Sequence, residues 1–253
     1  MKKQSLILWI SSIVIVFIIS YMNKITSADY PITGTIGIEG KKVSYRFEKV
    51  CYENDDYIFS IRSDLKELTG KYFYKLNYDS IWTSKELLKD NFLLTGILPK
   101  QKPETKLQYY AELRYKDNII SIPDKKYVQI TFFGKIPIVV NILQFFFLYG
   151  GLVFAVRTGL ESFNKNIKTK KFIIIFLIIF LTLIALINPL YLTYKNGFIN
   201  QYVPSIDRLF SAAELLIFAL WVITAIVLFN KSKIRYLTLF SAVLTLLIFY
   251  IFY

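Results

Sequence analysis

The sequence predicts an α+β membrane protein, a five-helix transmembrane bundle with a β-sandwich domain inserted between helices 1 and 2. Three observations lead there. Five apolar runs, at residues 6–22, 136–156, 172–190, 209–229 and 236–253, contain no Lys, Arg or Asp and a single Glu. Each is long enough, or nearly so, for a hydrocarbon core of about 30 Å. The polar stretch 23–135 between the first two runs alternates apolar and polar residues, as half-buried strands do. Finally, basic residues crowd the short connections that would share one side of a membrane.

The domain plan follows: residues 1–22 form an N-terminal transmembrane anchor, 23–135 an extracytoplasmic β-sandwich domain, and 136–253 a four-helix transmembrane region. The first run, preceded by Met1-Lys2-Lys3, is longer than a signal-peptide core and is followed only by "TSADY" as a cleavage candidate. It reads as an uncleaved anchor.

Charge sets the orientation. The formal net charge is +13, which raises the question of nucleic acid. Its distribution answers it. Lys2, Lys3, Arg157, Lys165, Lys168, Lys170, Lys171, Lys231, Lys233 and Arg235 lie at the N-terminus and in two short loops, opposed only by Glu161. The 23–135 domain, with 19 basic and 15 acidic residues, is close to balanced. Hence the N-terminus and both basic loops are expected in the cytoplasm, with residues 23–135 and the C-terminus outside. The partners expected are the lipid bilayer and, through the external domain or the helices, another protein; nucleic acid is not expected.

Within the external domain "KKVSYRFEKVCY", "DYIFSIRS", "KYFYKLNY", "FLLTGILP", "KLQYYAELRYK" and "KYVQITFFGKIP" are rich in aromatic and β-branched residues. Such residues favour pleated surfaces, and six to eight short strands at this spacing predict a sandwich. "TSKELLKDN" reads as a short helical turn or loop, with Thr83 or Ser84 as its cap. "END" at 53–55 reads as a turn. The lone Cys51 reads as a buried small hydrophobe. The many Tyr side chains either fill the core and its rim or form a carbohydrate- or peptide-binding surface. Asp55 and Asp56 read as a solvated turn.

Catalytic signatures are missing. The chain contains no His, which excludes Ser-His-Asp and Cys-His catalysis and the usual His-based zinc sites. No phosphate-binding or dinucleotide glycine motif occurs. No cofactor and no metal are expected, and an enzyme is the less favoured class.

Polar residues inside the apolar runs are few. Asn141 and Gln144 lie three residues apart on one face of the second run, and Glu214 lies five residues into the fourth. At 1.5 Å per residue, Asn141 and Glu214 would sit roughly 7–8 Å below the outer edge. Asp207, Ser211, Glu214, Phe218, Trp221 and Ala225 fall on one helical stripe. A carboxylate facing lipid is expensive, so this stripe is expected to face the bundle. The candidate site is an outer-leaflet polar cluster of Asn141, Gln144, Ser211 and Glu214, with Lys135, Lys195 or Arg208 as charge partner. Two uses are possible: interhelical hydrogen bonding, or a pocket for transport or ligand binding. Gly150, Gly151 and Ala155 offer a small-residue face for close packing.

Two segments carry a family resemblance. "ITFFGKIPIVV", followed by a span and then "VRTGLESF" at 156–163, resembles a family of uncharacterised multi-pass bacterial membrane proteins. In that family a β-rich extracytoplasmic insert between the first two spans ends in a Gly-x-Val-Pro junction, and the next span ends in Arg-x-Gly-Leu-Glu. "TGILPKQKPETKLQYYAEL" is similar to the family's Leu-Pro-x-Gln-Pro and Lys-Leu-x-Tyr elements through Leu98, Pro99, Gln101, Pro103, Lys106, Leu107 and Tyr109. The resemblance covers about the middle half of the chain. Pro189, Tyr194 and Gly197 match its last external loop; Gln144 stands where the family has a His, and an Asp-Asn-Lys element is missing from "DRLFSAAE". The resemblance implies the architecture and a bacterial inner-membrane location. On these grounds the chain is expected to be a non-enzymatic partner-binding or envelope-assembly subunit. The alternative is a transporter or membrane-embedded enzyme using the pocket around Glu214.

Overall fold

The computed structural model describes residues 2–52, 55–124, 126–164, 168–198, 205, 208–230 and 236–253. The chain is α+β, and it divides into two units. One unit holds residues 1–27, 136–194 and 198–253; the other holds 28–135 with 195–197.

The first unit is helical. Its elements are α1 (Lys2–Thr26), α2 (Ile138–Leu160), α3 (Thr169–Thr182), α4 (Asn188–Lys195), α5 (Ala212–Asn230) and α6 (Leu237–Phe252). A 3₁₀ turn, Glu161–Phe163, extends α2. A π-helical turn, Leu183–Ile187, joins α3 to α4 in one continuous rod. Pro189 explains that turn. It has no N–H to return to the carbonyl four residues back, and the helix widens locally instead of breaking. Four rods, Lys3–Thr26, Ile138–Phe163, Thr169–Lys195 and Ala212–Asn230, are long and apolar enough to cross a membrane, which marks a membrane protein. The fifth, Leu237–Phe252, is equally apolar but has 16 residues, short of the roughly 20 that span a bilayer upright. Residues 231–235, with three of the basic side chains, lie outside the described residues.

Helix α2 is central, packing against α1, α3 and α6. Two of its glycines permit that. A Cβ on Gly151 would stand 2.4 Å from the Phe180 ring of α3, and one on Gly159 would stand 2.6 Å from the Ala242 Cβ of α6. Gly151 and Ala155 are buried, whereas a Cβ on Gly150 would meet open space, so the small-residue face is narrower than the sequence predicts. Helix directions alternate through the packing. Gln4 at the start of α1 donates to the Phe163 carbonyl beyond the end of α2 (3.2 Å). Asn23 near the end of α1 donates to the Tyr250 carbonyl near the end of α6 (3.1 Å). Helix α6 thus runs parallel to α1. Helix α5 runs antiparallel to α6, joined to it by a ladder of hydrogen bonds. Thr224 and Ser241 share one at 2.7 Å, Trp221 Nε1 donates to Thr245 Oγ1 at 2.8 Å, and the Tyr253 hydroxyl donates to Glu214. Interhelical bonds of this kind average about 0.6 kcal/mol each. Their larger effect is to fix the rotation of α5, whose apolar surface alone is almost featureless.

The second unit carries the strands β1 (Ile32–Ile38), β2 (Lys41–Phe47), β3 (Val50–Cys51), β4 (Tyr57–Ser63), β5 (Thr69–Leu76), β6 (Thr83–Glu86), β7 (Leu88–Asp90), β8 (Leu93–Leu98), β9 (Lys106–Tyr115), β10 (Asn118–Ile122) and β11 (Val128–Phe132). One sheet has the order β1-β2-β4-β8-β7. The other has the order β3-β11-β9-β5-β6, with β10 also paired to β9. All pairings are antiparallel except β3 with β11. The sheets share one core. Phe47 and Phe59 of the first sheet meet Tyr109 of the second at ring-centre distances of 5.3 and 5.4 Å. Two core phenols are anchored across it: Tyr72 donates to the Ile97 carbonyl (2.7 Å) and Tyr109 to the Glu48 carbonyl (2.9 Å). Buried hydroxyls need such partners, and these fix the spacing of the sheets. Burial pushes the Tyr109 hydroxyl well above its ordinary pKa, so it stays a donor.

The segment read as a helical turn is a correction. "TSKELLKDN" supplies β6 and β7, which pair with β5 and β8 respectively. Leu87 between them is buried, its amide bonded to the Gly70 carbonyl (2.9 Å), and there the chain crosses from one sheet to the other. Open strand edges outcompete the local helix preference of Lys, Glu and Leu. The Lys89 ammonium from β7 donates to the carbonyls of Leu65, Lys66 and Leu68 and so holds the loop before β5. Cys51 is buried beside β11. Asp56 accepts from the Lys100 amide (2.8 Å), while 53 and 54 of the "END" turn lie outside the described residues.

Candidate functional site

Glu214 sits in the first turn of α5 and is 1% exposed. The stripe it belongs to faces inward, since Trp221 and Ala225 are also buried and Phe218 packs on the helical core. Oε1 of Glu214 accepts from the hydroxyl of Tyr253, and Oε2 has no partner among the described residues. Ser211 and Tyr191 of α4 stand near the same hydroxyl. Tyr253 in turn stacks on Phe249, at 5.2 Å between ring centres. The cluster is therefore one carboxyl bonded to one phenol, with Ser211, Tyr191 and Phe249 around that phenol.

Two of the sequence candidates are thus together and two lie elsewhere. Glu214 is bonded to Tyr253, and Ser211 stands near that phenol. Asn141 is exposed on the first turn of α2, beside the equally exposed Ile138, Ile142 and Phe145, and Gln144 is half-buried. The charge candidates make other contacts or stand exposed. The Lys195 ammonium lies over the Phe133 ring (4.6 Å) and the Arg208 guanidinium over the Phe198 ring (5.8 Å), and Lys135 is exposed. None of the ion pairs among the described residues involves Glu214. Asp207, at the head of the stripe, lies outside the described residues.

The sequence reading misses a second buried polar centre. Arg157 and Glu161, one helical turn apart at the end of α2, form an ion pair with side chains 1% and 0% exposed. The Arg157 guanidinium lies over Phe172 of α3 (4.9 Å) and Trp9 of α1 (5.5 Å) and reaches the Ser5 hydroxyl (3.4 Å). The other oxygen of Glu161 accepts from the Asn164 side chain (3.0 Å) and the Lys168 amide (2.9 Å). The centre therefore joins α1, α2 and α3 at the end of the helical unit that carries Lys3, Lys168, Lys170 and Lys171. The i, i+4 spacing of Arg157 and Glu161 is the signal that could have found it.

The aromatic residues of the strands divide between two faces. Tyr72 and Tyr109 point into the core, so their neighbours Phe73 and Tyr110 lie on the opposite face of their sheet. There Phe73 stacks on Tyr110 (4.8 Å), and Trp82 packs against Tyr110 and Tyr127. Lys75 covers the Trp82 ring (5.2 Å), so the cluster is largely satisfied by its own members. Among the described residues, no group of three or more acidic, Cys or His side chains could hold a metal ion.

No protein-family model and no curated protein matches the chain. Among solved structures, the crystal structure of the Br derivative of BhCBM56 aligns over 42% of this chain and 95% of its own, at 11% identity and a TM-score of 0.26. A likeness of that size decides neither fold nor ligand.

Proposed function

We propose that the protein is a non-enzymatic subunit of a bacterial inner-membrane assembly, anchored by five helices and binding a protein partner through its external β-sandwich domain. The N-terminus lies in the cytoplasm, and residues 23–135 and the C-terminus lie outside. The clustering of Lys3, Lys168, Lys170 and Lys171 at one end of the helical unit supports that orientation. The Arg157–Gly159–Leu160–Glu161 element supports membership in the family of multi-pass bacterial proteins that the sequence resembles.

The observation that carries this reading is the placement of the intramembrane polar groups. Glu214 is turned inward and tied to Tyr253, and Asn141 lies on the outside of α2. A carrier or membrane enzyme would need those groups to converge on one substrate. Here the buried ones bind neighbouring helices, as structural hydrogen bonds do. The second reading, transport or catalysis at Glu214, has one observation in its favour: the partnerless Oε2 oxygen. Glu214→Gln separates the two. The amide keeps an acceptor for Tyr253 and removes the charge and the exchangeable carboxyl proton. Unchanged yield, thermal stability and co-purifying proteins are expected. Normal folding with loss of a cellular phenotype would favour the second reading.

A further inference from the structure

We propose that the β5–β6 loop, residues 77–82, rests its apolar tip in the headgroup layer of the bilayer that the helices cross. Tyr78 and Ile81 are 79% and 83% exposed. No other large apolar side chain among the described residues is as open, the apolar helices included, where Phe17 and Ile251 reach 70%. Single exposed apolar residues are ordinary, but the two most exposed ones falling in one loop mark an interaction site. The loop is also held in shape. The Asp79 amide donates to the Leu76 carbonyl (3.0 Å), Lys75 Nζ donates to the Asp79 carbonyl (3.0 Å), and Gln108 Nε2 donates to Asn77 Oδ1 (2.8 Å). Trp82 closes it, edge-on to Tyr110 and covered by Lys75. Little conformational freedom is left to be lost on contact.

Lipid is the occupant because of where the loop lies within the strand unit. Five residues separate α1 from β1, and five separate β11 from α2. Neither connection can exceed about 20 Å. Register sets both at one end of the sandwich. Lys49 Nζ donates to the Ala28 carbonyl (2.9 Å), and the Lys49 carbonyl accepts from the Thr131 amide (2.9 Å). The loop is at that same end. Thr131 pairs with Lys106 and Leu76 with Leu107, and the Asn77 amide donates to the Lys106 carbonyl (3.0 Å). Tyr30 and Tyr52 are exposed there too, Tyr52 stacked on Phe133. Tyr rings and long Lys stems suit the boundary between lipid and water. Asp79 and Ser80, exposed between the two apolar side chains, keep the tip at headgroup depth. The opposite end is charged. There Glu39 is bonded by Tyr115 and Lys116, and the Ser63 amide donates to the carbonyl of Phe92, itself exposed. The contact is independent of the protein partner proposed above and of which side is cytoplasmic.

Bimane fluorescence of the full chain in lipid nanodiscs tests the contact, since both faces of a disc meet the buffer. Tyr78→Cys and Ile81→Cys carry the label at the tip, and Phe92→Cys carries it at the opposite end as the control. All three side chains are exposed, so the substitutions leave the core untouched. The unmodified chain, whose Cys51 is buried, should take little label. Phosphatidylcholine with a nitroxide on its headgroup should quench the labels at 78 and 81 several-fold more than the label at 92. Aqueous iodide should quench in the reverse order. Equal iodide quenching at all three positions, with no quenching by lipid, would overturn the proposal. Protection of 78 and 81 from iodide without quenching by lipid would overturn it too, because protein would then cover the tip. Stronger quenching from a nitroxide at the acyl-chain end than at the headgroup would contradict the depth that Asp79 sets.

Discussion

Replacing Arg157 with Ala is expected to lower the stability of the helical unit by about 3–5 kcal/mol, enough to remove most folded protein from the membrane. The size follows from what is left behind. Glu161 would stay wholly buried without its guanidinium partner, and Trp9 and Phe172 would lose the cation between them. Breaking a buried pair from one side is costly because the remaining charge cannot return to water. Replacing both partners tests the cause. Arg157→Met with Glu161→Leu should recover a large part of the loss, because no buried charge remains. Thermal unfolding in detergent, followed by tryptophan emission, measures both variants against the parent. An Arg157→Ala protein as stable as the parent would show that the pair does not hold α1, α2 and α3 together.

Trp221→Ala is expected to cost a similar amount, about 3–5 kcal/mol, for a different reason. Trp221 is fully buried, stands against Phe176 (4.7 Å between ring centres) and bonds Thr245. Removing it leaves a cavity where α3, α5 and α6 meet. Trp221→Phe keeps most of the packing and loses the hydrogen bond, so a loss near 1 kcal/mol is expected. The two variants are compared by the same melts. If Phe costs as much as Ala, the hydrogen bond rather than the ring volume governs the junction.

The sequence encodes the helices and the strand-rich unit through length and period, which are local properties. Runs such as 172–190 have no other reading, and "KKVSYRF" alternates from the backbone geometry alone. What is lost is whatever depends on a distant neighbour. β6 and β7 carry Ser, Lys, Glu and Asp and look like a capped helical turn; they are strands because β5 and β8 present open edges. The same limit applies to the site. Glu214 stands out at once as an acid in an apolar run. Its partner does not, because Tyr253 lies 39 residues away and an apolar helix surface does not announce which way it is turned. The sequence sets Asn141 and Glu214 at one expected depth, but depth is not azimuth, and α2 turns Asn141 outward while α5 turns Glu214 inward. Arg157 and Glu161 are hidden by habit: a basic residue at a helix end reads as a topology signal, and here it is fully buried.

On the proposed function the chain acts by association, and its buried polar groups hold helices together. Native mass spectrometry of the full chain, released from membranes in mild detergent, tests this most directly. A species heavier than one chain, carrying a second copy or another membrane protein and unchanged in Glu214→Gln, is expected. A single chain with one stoichiometric small molecule, lost in Glu214→Gln, would contradict it.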